Sequence, residues 1–221
     1  SEQQAQDLRL MLDREDVSHH PDLVFALRSL APKISTATEP DRKTIGFNAT
    51  TFFWISDGRK FIPGSSWLGE VKERRPWLVK HANDLGPIYV EWFRGILRNA
   101  KEKGYAIHHI PFTPTDDRFA RTFFSDVVDH FLTYSDAPLV VMRRMSQMSA
   151  FLPTRFHSLV FSLVLGLPVF PFCYAEKSER LFSSIGLPNI PIVDAAVLTQ
   201  SNGRAIWTID DCVTIPDTAV M

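Results

Sequence analysis

The stretch from Met148 to Lys177 constrains the fold of this chain more than any other. It reads as an apolar strand, a short polar turn, an apolar helix, a glycine stop at Gly166 and a second strand. Phe156, Leu159, Val160, Leu163 and Val164 form one wide apolar stripe, so the helix has to pack on a sheet. That packing fixes its register: Arg155 falls in the turn before the helix, His157 in its first turn, and the Thr154 hydroxyl is expected to cap. In a parallel α/β sheet this handover lies at the carboxyl edge of the strands, where ligands bind. A helix N-terminus there offers unpaired N–H groups and a positive dipole end to an anion, and the Arg155 guanidinium could grip a phosphate or carboxylate bidentately. His157, beside it, suits proton transfer. Periodicity alone also fits an Arg155 that makes an ion pair at a helix start and a His157 that bonds a backbone carbonyl.

Strand and helix patterns alternate through the rest of the chain. Thr44 to Asn48 reads as a buried strand with a polar carboxyl end, and Thr50 to Pro76 as an irregular insertion or lid. From Pro87, Ile88, Trp92, Ile96 and Leu97 recur at helical spacing, and Gly104 stops that helix. Tyr105 to Phe112 is the next strand. Phe119, Phe123, Val127, Val128 and Phe131 then mark a second amphipathic helix, capped by Thr115 or Asp116. Leu139 to Met142 reads as a short apolar strand, residues 178–185 as a helix capped by Gly186, and Asn189 to Val193 as a final strand. Such alternation predicts an α/β fold with a doubly wound parallel sheet. The helical residues 5–16 and the Pro-, Ser- and Thr-rich residues 29–43 divide the chain into a remnant of a preceding domain, 1–43, and a main domain, 44–221. With Ser1 in place of a methionine, the chain reads as a fragment or a trimmed piece.

A formal charge of -1 over 221 residues gives no basic footprint for nucleic acid. Lys72, Arg74 and Arg75 are interleaved with Glu70 and Glu73, as on a solvated helix face. Cys173 and Cys212, the only cysteines, provide neither a disulfide framework nor a zinc knuckle and are expected as reduced, buried thiols. The longest apolar run, Leu159 to Tyr174, is broken by Ser162, Gly166, Pro168 and Pro171, so no transmembrane segment is expected.

The order and spacing from Met148 to Pro188 resemble the signature of the polysaccharide pyruvyl transferase family. The shared features are Arg155-x-His157, an aliphatic helix, Gly166-x-Pro168, a strand, Tyr174-x-x-Lys177, and a leucine-bearing helix closed by Gly186, Leu187 and Pro188. Upstream, Gly104 to Phe112 with Asp116 and Asp117 is similar to the family's strand ending in Ile-Pro-Phe and its nearby aspartate, and the segment at Pro21 resembles the end of its first domain. The resemblance implies a Rossmann-like, GT-B-like C-terminal domain that binds the donor. It further implies a cytoplasmic enzyme, at the inner face of the membrane, that transfers pyruvyl from phosphoenolpyruvate to two sugar hydroxyls in exopolysaccharide biosynthesis. Partners would be phosphoenolpyruvate and a glycan or lipid-linked saccharide, with no metal or further cofactor. Arg155 and His157 would be catalytic, and Thr154, Arg155, Lys177, Tyr174, Asn48 and Asp117 would line the substrate site. The chain departs from the family in one place: where a basic residue commonly follows the first strand, it has Asn48. The architecture leaves two other readings open, a glycosyltransferase using a nucleotide sugar and a noncatalytic glycan-binding relative.

Other features carry less chemistry. His19-His20 and His108-His109 are adjacent pairs, and neighbours on a strand point to opposite faces, which argues against chelation. Asp210 and Asp211 are placed to cap a turn. Trp54, Trp67 and Trp77 could include a sugar-stacking platform, whereas Trp92 belongs to the core.

Overall fold

The computed structural model describes residues 43–57, 60–64, 76–173, 176–191 and 208–213. The proposed remnant 1–43, apart from Lys43, therefore lies outside the described residues, as do His19, His20, Trp67, Tyr174 and the Lys72 to Arg75 cluster.

Strand β1 (Thr44–Phe47) is followed by a small hairpin of β2 (Trp54–Ser56) and β3 (Phe61–Pro63), then by the long helix α1 (Pro76–Glu102). β4 (Ala106–His109), α2 (Pro114–Phe123), β5 (His130–Phe131), α3 (Pro138–Met145), β6 (Ala150–Leu152) and α4 (Phe156–Val164) come next. β7 (Phe172–Cys173), α5 (Glu176–Ser184), β8 (Ile190–Pro191) and a 3-10 turn (Ile209–Asp211) complete the described elements. The main sheet has the order β5-β4-β1-β6 and every pairing in it is parallel. Its β6 edge continues through a parallel bridge from Phe151 to Val169, which in turn meets Val213 antiparallel.

Alternation along the strands sends side chains to two cores. Ile45, Phe47, Ile107, Ala150 and Leu152 face α1 and α2, packing with Tyr89, Trp92, Phe93, Phe119 and Phe124. Phe151 faces the other way, with Met142 and Met145 of α3 and Val160 and Val164 of α4. Helices therefore cover both faces of a parallel sheet, the doubly wound α/β arrangement expected from the sequence. Read in chain order, the four strands lie third, second, first, fourth, which is a Rossmann-like order with its switch point between β1 and β6. Gly46 sits at this junction because a Cβ there would stand 2.6 Å from Phe151 Cδ2 and 2.9 Å from Met148 Cγ. The Phe151 and Met148 side chains already fill the space that a side chain at position 46 would need.

Four local expectations need correction. Leu139 to Met142 is not a strand but part of α3: Pro138 opens the helix, Arg143 and Arg144 close it, and Val141, Met142 and Met145 are buried at helical spacing. The second amphipathic helix stops at Phe123, so Val127 and Val128 follow it in a turn and Phe131 belongs to β5. Thr113 caps that helix, accepting from Asp116 N–H, in place of Thr115 or Asp116. The insertion after Thr50 contains the β2–β3 hairpin, whose Trp54 and Phe61 pack on Phe119 and Phe123, so this part is tied to the core. Trp92 is core as expected, stacked on Phe172 at 4.8 Å between ring centroids.

Candidate functional site

β1, β4 and β6 end side by side, and the residues just past their carboxyl ends form one polar constellation. Asn48 follows β1 and is fully buried. Its Oδ1 accepts from the backbone N–H groups of Thr154 and Arg155, at 3.0 Å each, and lies 2.9 Å from the Ser158 hydroxyl. Because two of those donors are backbone amides, the amide orientation of Asn48 is determined, and its Nδ2 is left buried without a hydrogen-bond partner. The Thr154 hydroxyl donates to Asn48 O at 2.8 Å. Asn48 thus laces the two strands together at the switch point, and Thr154, also buried, is consumed in that lacing.

Thr154 is consequently not the cap of α4. Arg155 occupies the N-cap position, and Ser158 pairs with its backbone, its hydroxyl accepting from Arg155 N–H at 3.1 Å and donating to Arg155 O at 2.7 Å. Residues 158–164 are buried all round, more than the single stripe read from the sequence, because α4 is covered by the sheet, by Phe112 and by Leu181 and Phe182 of α5. The helix ends at Gly166, where φ of 67° is a conformation open to glycine and strained for other residues.

The Arg155 guanidinium reaches across to the first turn of α2. Its Nε donates to Asp116 Oδ2 at 2.7 Å, and its Nη2 to Asp116 Oδ1 at 2.6 Å and to Thr113 Oγ1 at 3.3 Å. The Arg155 side chain is 32% exposed and that of Asp116 is 0% exposed. Asp116 is locked in turn by Phe112 N–H, which donates to Oδ2 at 3.2 Å. Sequence reasoning named Asp117 for the site; Asp117 points instead to the surface and pairs with Arg121 at 3.0 Å. The signal for Asp116 was present in Thr113-Pro-Thr-Asp116, a capping-box spacing that makes Thr113 the cap and turns Asp116 toward it.

His157 is exposed in the first turn of α4, with its ring against Phe156 at 5.9 Å. Lys177 is brought to the same helix end, its Nζ lying 4.4 Å from the centre of the Phe156 ring. Arg155, His157 and Lys177 therefore gather around the start of α4, while Asn48 and Thr154 lie beneath it.

Two buried groups outside the expected site residues, Tyr89 and His109, lie close to Asn48 and Thr154. Tyr89 of α1 places its hydroxyl near Thr50 and Thr154 without a hydrogen bond of ordinary geometry; burial, aided by the charge of Asp116, pushes its pKa above the usual range. His109 closes β4, and its Nε2 accepts from Ala49 N–H at 3.3 Å while Nδ1 is buried without a partner. Burial, with a smaller contribution from Arg121, lowers its pKa to about 3. His108 points to the other face of β4, against His130, as expected for adjacent strand residues. Among the described residues no group of three His, Cys, Asp or Glu side chains could hold a metal ion, and no helix is long and apolar enough to cross a membrane. Cys173 is buried as expected whereas Cys212 is half-buried, and desolvation, with nearby carboxylates adding to it, raises both thiols to about 12.

Fold and site define an α/β protein with a Rossmann-like sheet and a polar constellation at its switch point. No family model, curated protein or solved structure matches the chain.

Proposed function

We propose that this chain carries the donor-binding domain of a polysaccharide pyruvyl transferase-like enzyme, of GT-B-like architecture, acting on phosphoenolpyruvate and a glycan or lipid-linked saccharide. The observation that carries the reading is the Arg155-x-His157 pair at the N-terminus of the buried helix α4, beside the sheet's switch point. Its sequence resemblance to the family signature gives the anion a chemical identity. Arg155, Lys177 and the α4 N-terminus hold the phosphate and carboxylate of the donor. His157 gives a proton to the methylene carbon of phosphoenolpyruvate, which becomes a methyl group as positive charge develops at the adjacent carbon. One sugar hydroxyl adds to that carbon and loses its proton. The C–O bond to phosphate breaks, the second hydroxyl adds to the oxocarbenium carbon left behind to close the ketal, and its proton leaves with the phosphate.

A mixture of the protein, phosphoenolpyruvate and candidate saccharides tests the reading through phosphate release and the mass of the acceptor. Turnover is expected to disappear in both Arg155→Ala and His157→Ala. If His157→Ala keeps turnover while Arg155→Ala loses donor binding, the acid/base role is wrong and the anion role stands.

A noncatalytic glycan-binding relative is the second reading, favoured by the Asp116–Arg155 pair, which balances the guanidinium charge inside the protein. Binding of a saccharide with neither phosphoenolpyruvate binding nor phosphate release would select it.

A further inference from the structure

The resemblance put Asp117 at the substrate site and gave its neighbour Asp116 no role there. Its environment nevertheless couples it to Arg155 more closely than to its own helix. A carboxylate that is 0% exposed, on the first turn of α2, meets a guanidinium two strands away through paired contacts of 2.7 and 2.6 Å. Thr113 Oγ1 and Phe112 N–H complete the cradle, the first on Arg155 Nη2 and the second on Asp116 Oδ2. An arginine held along one edge by a buried, fixed carboxylate loses the freedom of its long side chain. Its guanidinium plane is then set by α2, while its backbone is set by Asn48.

Building on the donor-binding reading, we infer that Asp116 is a positioning residue that fixes the plane of the Arg155 guanidinium for the donor anion, with Thr113 as its support. Neutralising Arg155 weakens its long-range pull on an anion. The orientation gained offsets this, because a charge-assisted hydrogen bond to the anion depends steeply on angle and distance. The opposite balance has a distinct consequence: were Asp116 chiefly a repelling counter-charge, removing its charge would tighten binding.

The test combines calorimetric titration of phosphoenolpyruvate with nuclear magnetic resonance of the Arg155 Nε–H in the whole chain. In the wild type that resonance exchanges with water more slowly than the Nε–H of Arg180, whose partner Glu176 is on the surface. In Asp116→Asn, with the fold verified by circular dichroism, the protection falls and the dissociation constant for phosphoenolpyruvate rises at least tenfold. Asp116→Glu, which keeps the charge and moves it by one methylene, gives an intermediate rise, and Asp126→Asn, remote on the surface, gives none. Unchanged or tighter donor binding in Asp116→Asn overturns the inference while leaving the donor reading intact. If Asp116→Asn does not fold, the wild-type exchange rate and Asp116→Glu decide. Failure of the wild type to bind phosphoenolpyruvate overturns the donor reading, and an unprotected Arg155 Nε–H overturns the positioning role by itself.

Discussion

Asn48 occupies the position where a basic residue would meet the donor in the resembling family, and its surroundings explain what it does instead. Its Oδ1 accepts from two backbone donors of the turn that carries Arg155, so Asn48→Ala leaves the buried Thr154 N–H unpaired and the Arg155 N–H with the Ser158 hydroxyl alone. The expected loss is about 1–3 kcal/mol in urea-induced unfolding; a loss near zero would show that water replaces the amide. His109 carries a pH signature. Its pKa falls from 6.5 to about 3 on folding, so the unfolded chain binds the proton more readily. The stability that depends on a neutral His109 is complete above pH 6.5 and is lost progressively as pH falls toward 3. His109→Gln keeps an acceptor for Ala49 N–H but does not titrate, and it is expected to flatten the drop in unfolding free energy between pH 7 and pH 4.5 by an amount on the order of a few kcal/mol. An identical drop in the variant would assign acid sensitivity to other groups.

Among the elements, α3 shows how a short apolar run deceives. Four consecutive apolar residues, Leu139 to Met142, fit a buried strand or one side of a helix equally well. Burial separates the two, because Met142 is fully buried whereas Leu139 is 47% exposed. Met142→Ala is therefore expected to cost about 2–5 kcal/mol, and Leu139→Ala to stay within roughly 0.5 kcal/mol in the same denaturation assay; equal effects would contradict the helix. Helix α4 was legible because its stripe, its glycine stop and its polar start lie within a dozen residues of one another. The Asn48 lacing was not, since its partner Thr154 is 106 residues away and no sequence period joins them. Asp116 falls between these cases. Its capping spacing could be read, but its bond to Arg155, 39 residues distant, required the fold.

For the molecule as a whole, strand order is the decisive property. The sequence alternation yields a parallel sheet with helices on both faces, and the third, second, first, fourth order puts the switch point between β1 and β6. Asn48 and Thr154 tie the two strand ends there, and Arg155, His157 and Lys177 gather at the start of α4, which follows β6. The proposed function puts phosphoenolpyruvate at this helix start, and thermal unfolding checks that, because a ligand bound by the native state alone raises the melting temperature. At about a hundredfold excess over the dissociation constant the gain is about 2.7 kcal/mol, and each kcal/mol shifts Tm by roughly 2–4 °C in a chain of this size. A shift of several degrees is expected with millimolar phosphoenolpyruvate, none with a panel of nucleotide sugars, and loss of the shift in Arg155→Ala. A shift with nucleotide sugars alone, or one that survives Arg155→Ala, would contradict the proposed function.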